Sequence, residues 1–372
     1  MFDALGTVLF WPFRKRSRKF APNLRRLLII RLDHIGDCFL AAAVPKVIKE
    51  NIPDAKVIFL TSSSGKESLD HNPFVDEVLV YDAPWFSKKA EGGRRKAQGK
   101  KKKNVSYFDV IKILKEKKID CSLGLRGDAR ENILMWLAGI RERIGYGITG
   151  GGFLLTKEVP YHWGAHESEH TTDLLGALGI RADSLQPQIY FSAEEEKEIE
   201  SKLAGWGLGS VGDGHDRPRF VGLQVDAGSR AKEWPKENFK LFLEHFRRKF
   251  PQYRLVLTGN SLPDGLKLTN EVSLVGKTSL RELCLLMKRM ACFIGPDSGP
   301  THIAAGLNVP SIFLYSGTNV YEAWRPLSES ARVLRHKVAC SPCGLRTCNV
   351  KGHPCMSEIK PEQVIEELEN VL

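Results

Sequence analysis

The chain has 372 residues, more than one hydrophobic core usually serves, so two domains are expected. With 42% hydrophobic and 27% charged residues it is not a mainly disordered chain, and no apolar run reaches the ~20 residues that a bilayer span takes. The net charge of +11 suggests a nucleic-acid partner until it is located: residues 1–26 carry +6 and residues 83–106 carry +8, leaving −3 on everything else.

The first 13 residues are rich in apolar and aromatic side chains (Phe2, Leu5, Val8, Leu9, Phe10, Trp11, Phe13), and a basic cluster, Arg14 to Lys19, follows. A secretory signal places the charge first. The reversed order predicts a cytoplasmic protein whose 1–26 segment touches a membrane surface. Residues 26–32 (RLLIIRL) form a run suited to a strand buried on both faces. A turn at His34-Ile35-Gly36-Asp37 leads to a predicted helix over 38–51. Strands follow at 56–61 and 75–81, so the chain reads as βαβ with a parallel sheet.

The basic stretch 83–106 interrupts this pattern as a predicted surface loop. Its ordinary reading is a solvated segment; attraction to an anionic membrane is the functional one. Nucleic acid ranks below both, because no stacking aromatic is interleaved in Lys100–Lys103. A helix at 107–118, a strand at 119–125, a helix at 131–138, a glycine-dense loop at 145–152 and a helix at 171–178 complete an N-terminal domain over 27–190. Residues 191–218 read as a linker with an acidic helix at 193–203. A second βα series fills 219–358, with strands at 220–224, 254–258, 291–294 and 311–315 and helices at 236–250, 280–289 and 300–305. An amphipathic helix closes the chain at 359–372. Two such domains imply facing sheets with a cleft, and ligands beyond the carboxyl ends of the strands.

Three segments can carry chemistry. In FIGPDSGPTHIAA (293–305) a strand ends in a Gly-rich turn and a helix begins with Pro300 in its first turn. The unpaired first-turn amides and the helix dipole make an anion site. Ser298, Thr301 and His302 would add donors, and Gly299 would let a phosphate approach. The plainer alternative is that Asp297 and Ser298 cap the helix. In QVDAGSRAKEWP (224–235), Gly228 and Ser229 can cradle a phosphate, and Lys232 can offset charge on a departing diphosphate. The plainer alternative is a surface loop. In RLDHIGD (31–37), Asp37 can accept a proton from an attacking hydroxyl, with Gly36 leaving room for substrate. From spacing alone a helix cap is the commoner role for Asp37. The G-x-G-x-x-G dinucleotide fingerprint is absent after this strand.

Together, RLLIIRLDHIGD, GSRAKEWPKENF and FIGPDSGPTHIAAGLNVPSIFLYSGT resemble glycosyltransferase family nine, the lipopolysaccharide heptosyltransferases. The resemblance runs from about Leu24 to Leu372 outside the basic insertion. It implies an α/β GT-B fold: two Rossmann-like doubly wound domains facing a central cleft, with acceptor bound by the first and donor by the second. It also implies a C-terminal helix crossing back to the first domain. Inverting transfer, with no cofactor required for catalysis, would run from a nucleoside-diphosphate sugar (ADP-heptose by resemblance) to a lipid-linked glycan. Asp37 matches the family's proposed base and Lys232 its donor-phosphate lysine. Asp297, Ser298, Gly299 and His302 match the nucleotide-diphosphate loop. Two departures stand out. Gly259-Asn260-Ser261-Leu262-Pro263-Asp264, with Asn260 or Asp264 as the substitute, occurs where a Glu or Asp directly after the strand is frequent, and Leu125-Arg126-Gly127-Asp128, with Arg130 close behind, occurs where related chains often carry a neutral residue. These arginines could recognise an anionic acceptor or simply be salt-bridged.

Cys38, Cys121, Cys284 and Cys292 sit in apolar runs and are predicted to be reduced core residues. Cys340, Cys343, Cys348 and Cys355 have spacing compatible with a structural zinc, with packed thiols as the alternative. The resulting expectation is a glycosyltransferase working at the inner face of the cytoplasmic membrane. A non-catalytic nucleotide-sugar or nucleic-acid binding protein on the same scaffold is the alternative.

Overall fold

A computed structural model describes residues 24–86, 105–182, 185–209 and 220–372. The apolar-basic start and most of the basic insertion lie outside these residues. The chain divides into two compact units, Met1–Tyr190 and Phe191–Leu372.

The first unit runs β1 (Arg26–Arg31), α1 (Ile35–Ala41), α2 (Val44–Asn51), β2 (Lys56–Thr61), α3 (Ser63–Lys66) and β3 (Glu77–Val80). It continues with α4 (Tyr107–Glu116), β4 (Cys121–Gly124), α5 (Ala129–Leu137), β5 (Glu142–Gly145), β6 (Lys157–Glu158) and α6 (Glu167–Ala177). The strands form one parallel sheet in the order β3-β2-β1-β4-β5-β6. Successive side chains of a strand point to opposite faces. Leu27, Ile29, Val57 and Phe59 therefore enter one core, and Leu28, Ile30, Ile58 and Leu60 the other. Helices cover both faces, which is why β1 and β2 read as apolar runs rather than alternating ones. Each such side chain contributes ~1.5–3 kcal/mol by leaving water. The helix expected over 38–51 is two helices: it breaks after Ala41, and α2 restarts with Pro45 in its first turn.

The second unit runs α7 (Ala193–Gly205), β7 (Phe220–Gln224), α8 (Lys236–Lys249), β8 (Arg254–Thr258), β9 (Val272–Ser273) and α9 (Leu280–Met287). It continues with β10 (Cys292–Pro296), α10 (Gly299–Gly306), β11 (Ser311–Tyr315), α11 (Tyr321–Trp324), β12 (Ala331–Arg335), α12 (Pro354–Ser357) and α13 (Pro361–Val371). Its parallel sheet has the order β12-β11-β10-β7-β8-β9. Read from the other edge, this repeats the order of the first sheet.

Two elements differ from the sequence expectation. Helix α7, read as part of a linker, is built into the second unit: Ile199 and Leu203 are buried, Arg281 donates to Glu195 at 2.7 Å, and Arg289 donates to Glu200 at 2.8 Å. The closing helix α13 was expected to cross back to the first unit. It belongs instead to the second, where Val364, Ile365 and Leu368 share a core with Phe242 and Phe246 of α8. Its apolar face is satisfied there, and Lys249 of α8 pairs with Glu369 at 2.6 Å beside it.

Candidate active site

Each sheet changes direction of winding once, between β1 and β4 and between β7 and β10. Loops leaving the carboxyl ends of strands at such a point open a crevice for ligands. The segments that follow β1, β4, β7 and β10 carry Asp37, Arg126, Lys232 and Asp297 respectively, so strand order places each candidate residue at the switch point of its own sheet.

In the first unit the organising group is Arg31, the last residue of β1 and 3% exposed. Its Nε donates to Asp33 at 2.7 Å and its Nη2 to Asp37 at 2.6 Å. Both terminal nitrogens donate to Glu167 at 3.1 Å, and Nη1 also donates to the Leu125 carbonyl. Three carboxylates thus surround one guanidinium. Burial, then the charge of Asp33, pushes the Asp37 carboxyl up to about 7 against the pull of Arg31. Glu167 stays at about 2: burial raises it, but the hydrogen bond from His170 and the Arg31 charge outweigh this. His170 offers Nδ1 to Glu167 at 3.3 Å and Nε2 to the His162 carbonyl at 3.0 Å. Its pKa is raised despite burial, since the bond to Glu167 favours the imidazolium. Asp37 lies in the first turn of α1, but the cap position belongs to His34, which makes no side-chain cap bond. Gly36 precedes Asp37 in the same turn.

Arg126 and Arg130 are both paired, and with different carboxylates. Arg126 donates to Asp33 at 2.7 Å and lies 4.3 Å over the Phe86 ring. Arg130 forks onto Asp128 at 2.7 and 2.5 Å and lies 4.6 Å over Trp85. Sequence reasoning missed Arg31, Glu167 and Glu131. Glu131 is 1% exposed, and neither carboxylate oxygen has a hydrogen-bond partner among the described residues. Burial, then Asp33 and Asp128, pushes it up to about 8. A charged residue in a helix reads as a solvated face, so nothing in the sequence signals this burial.

In the second unit the organising group is Asp297, 2% exposed at the end of the β10 turn. It accepts from Lys232 Nζ at 2.7 Å, His302 Nε2 at 3.0 Å and Asn319 Nδ2 at 2.8 Å. Lys232 also donates to the Asp297 carbonyl at 3.0 Å. Burial raises the carboxyl, but His302 and Lys232 outweigh it, and Asp297 is held ionised below the ordinary carboxylate range. An ammonium, an imidazole and a carboxamide thus meet at one buried anion, one residue before the cap of α10. Ser298 occupies the cap position without a side-chain cap bond, and Gly299 opens α10. Gly259 has φ of +130°, and a Cβ there would lie 2.6 Å from Asp226 Oδ1. Asp226 uses this proximity to accept the Asn260 and Ser261 amides at 2.9 and 3.2 Å.

Three expectations change. Thr301 is fully buried and gives its hydroxyl to the Pro296 carbonyl at 2.7 Å, so it braces the strand-helix turn instead of presenting a donor. Ser229 gives its hydroxyl to the Arg346 carbonyl at 2.8 Å, while Gly228 and Arg230 on either side of it are exposed. Among the described residues no group of three or more His, Cys, Asp or Glu side chains is arranged to hold a metal ion. Cys340, Cys343, Cys348 and Cys355 line one small recess but do not converge as a ligand set, and His353 Nε2 is engaged with the Ala231 carbonyl at 3.0 Å. The four remaining cysteines, Cys38, Cys121, Cys284 and Cys292, are buried and form no disulfide, as expected.

Residues 107–353 match the model of glycosyltransferase family 9 (heptosyltransferase). The chain belongs to this family. Lipooligosaccharide heptosyltransferase 2 of Campylobacter jejuni subsp. jejuni serotype O:2 is 35% identical over 352 residues, 91% of this chain and 95% of the relative. Among solved structures, a family 9 glycosyl transferase from Veillonella parvula aligns with a TM-score of 0.75 at 21% identity, covering 95% of this chain and 99% of that one. An E. coli heptosyltransferase holding ADP-2-deoxy-2-fluoro heptose aligns with a TM-score of 0.63 at 16% identity, covering 93% of this chain and 99% of that one. Family 9 membership makes this chain a glycosyltransferase, and the two doubly wound parallel sheets are those of the GT-B fold.

Proposed function

We propose that this enzyme moves a heptose from ADP-heptose to a hydroxyl of a lipopolysaccharide-type, lipid-linked acceptor, with inversion at the anomeric carbon and without a catalytic metal. The observation that carries the reading is Lys232 held against Asp297 beside the start of α10. Two of its three N–H groups go to Asp297, which leaves the third to a phosphate oxygen. The relative seen with an ADP-heptose analogue supports the choice of donor. The alternative of non-catalytic nucleic-acid binding gains nothing from the site, where carboxylates engage Arg31 in the first unit and Lys232 in the second.

Asp37 takes the proton of the acceptor hydroxyl. That oxygen forms its bond to the anomeric carbon as the bond from this carbon to the diphosphate oxygen breaks. The leaving ADP gathers negative charge, which Lys232 and the α10 amides offset from fixed positions. A base near 7 suits the work, since it is ionised at neutral pH yet still basic enough to accept a proton. Arg126 and Arg130, seated on aromatic rings, are the proposed contacts for anionic groups of the acceptor, with Gly36 lining its path. Gly228, Ser298, Gly299 and His302 complete the donor side. The family's acidic residue after β8 is replaced by the Asp226-held Asn260 loop, which is the proposed contact for the donor's ribose.

Release of ADP from ADP-heptose in the presence of extracted lipid glycans tests the reading. Asp37→Ala should lower kcat by ~10²–10⁴ with donor binding kept. Lys232→Ala should weaken ADP binding and lower kcat by ~10²–10³. Turnover should persist in EDTA. Near-normal rates in Asp37→Ala would remove it as the base. Among the described residues no helix is long and apolar enough to cross a membrane. The 1–26 segment and the 83–106 insertion are proposed to hold the enzyme reversibly on the anionic inner face of the cytoplasmic membrane.

A further inference from the structure

The cysteine-bearing segment after β12 is tied to both loops that hold the Lys232–Asp297 pair. On one side, the Arg346 carbonyl accepts the Ala231 amide at 3.0 Å and the Ser229 hydroxyl at 2.8 Å. His353 Nε2 donates to the Ala231 carbonyl at 3.0 Å. Both backbone polar groups of the residue before Lys232 are therefore satisfied by this segment. On the other side, the Cys343 and Gly344 amides donate to the Gly317 and Thr318 carbonyls at 3.0 and 2.9 Å. These carbonyls immediately precede Asn319, whose amide reaches Asp297. The segment is itself fixed from behind: Cys355, Met356 and Ile359 are buried in the second unit's core, and Trp234 Nε1 donates to the Ile359 carbonyl at 2.9 Å.

Lys232 ends a single 3-10 turn, Arg230–Lys232, too short to define its own position. His353 is held at φ of +50°, a left-handed conformation that a residue with a Cβ seldom adopts, and this places its ring against that turn. We propose that residues 340–353 are a positioning brace for the donor-diphosphate cation, with His353 the side chain that sets where Lys232 stands. This rests on the reading of Lys232 given above. A misplacement of about 1 Å costs about 10²-fold in rate at a preorganised site, so the brace should register in turnover.

The test combines the His353→Ala, His353→Phe and His353→Gln variants with Lys232→Ala in full-length protein, read by ADP-heptose turnover, ADP calorimetry and melting. Gln can bring an N–H to the place of Nε2, whereas Phe fills the ring's space without a donor. His353→Ala and His353→Phe should lose roughly 10–100-fold in kcat/KM, and His353→Gln should recover to within about 3-fold of wild type, an N–H donor being all the proposal asks of the position. On a Lys232→Ala background, His353→Phe should cost less than about 2-fold more, since residues acting through one group are not additive. Full activity in His353→Phe, no recovery in His353→Gln, or losses that multiply in the double variant would each overturn the brace. If His353→Ala does not fold, the Phe and Gln pair decides. Unchanged ADP affinity and turnover in Lys232→Ala alone would instead overturn the donor-site reading.

Discussion

Asp37, Asp33 and Glu167 crowd around Arg31, and although Arg126 also pairs with Asp33, one proton relieves the repulsion among the three carboxylates. Geometry gives that proton to Asp37, because His170 steadies the charge of Glu167 while Asp37 has Arg31 alone. Protonating Asp37 removes the proposed base, so kcat should fall as pH drops below about 7. Glu167→Gln keeps an oxygen for Arg31 but removes a like charge that raises Asp37. The acid limb of the pH profile should then move to lower pH, which the ratio of rates at pH 6 and pH 8 will show. Glu131 gives a separate signature in stability. Its folded pKa of about 8 lies above the ordinary 4.5, so the folded state holds a proton that the unfolded state releases. Its contribution is fully present below 4.5 and is lost as pH rises through 8. Glu131→Gln should melt close to wild type at pH 5 and above it at pH 8.5, by ~2–4 °C for each kcal/mol recovered.

The β10–α10 junction depends on Gly295 for space rather than for conformation. A Cβ there would lie 2.5 Å from Thr301 Oγ1 and 2.9 Å from Gln224 Cβ. Gly295→Ala should destabilise the second unit by ~1–3 kcal/mol through overpacking, seen as a lower melting temperature, and should weaken ADP binding because α10 moves with Thr301. This junction was readable in the sequence, where FIGPDSGP places a buried run, a Gly turn and a first-turn Pro in order. Strands β1, β2, β7 and β11 were readable for the same reason, since two-sided burial writes an uninterrupted apolar word. Glu142–Gly145 and Ala331–Arg335 were not, because they are short and interspersed with charge, and backbone pairing with a neighbour defines them. Asp37 and Lys232 could be picked out by type and place. Their partners needed the structure: Asp297 reaches Lys232 because β10 lies beside β7, and Arg31 folds back onto Asp37 across the turn that follows β1.

Across the whole molecule, basicity is confined to two stretches while the remaining body is mildly acidic. Near an anionic surface each Lys or Arg contributes ~1 kcal/mol, and this fades within a Debye length. Co-sedimentation with anionic vesicles should fall sharply on deleting residues 1–20 and on raising salt, whereas equal binding after the deletion would discard the anchor. The brace on Ala231 has a further consequence for how the enzyme comes into being. Ser229 and Arg346 are 117 positions apart in sequence, and Ile359, which receives the Trp234 indole, comes later still. A nascent chain that has been made only through β12 leaves its Lys232 turn without these supports. Competence to hold the donor should therefore arrive only once residues through Ile359 have joined the fold, and a chain stopped at residue 338, which also lacks the core side chains Met356, Val364, Ile365 and Leu368, should lose its grip on ADP.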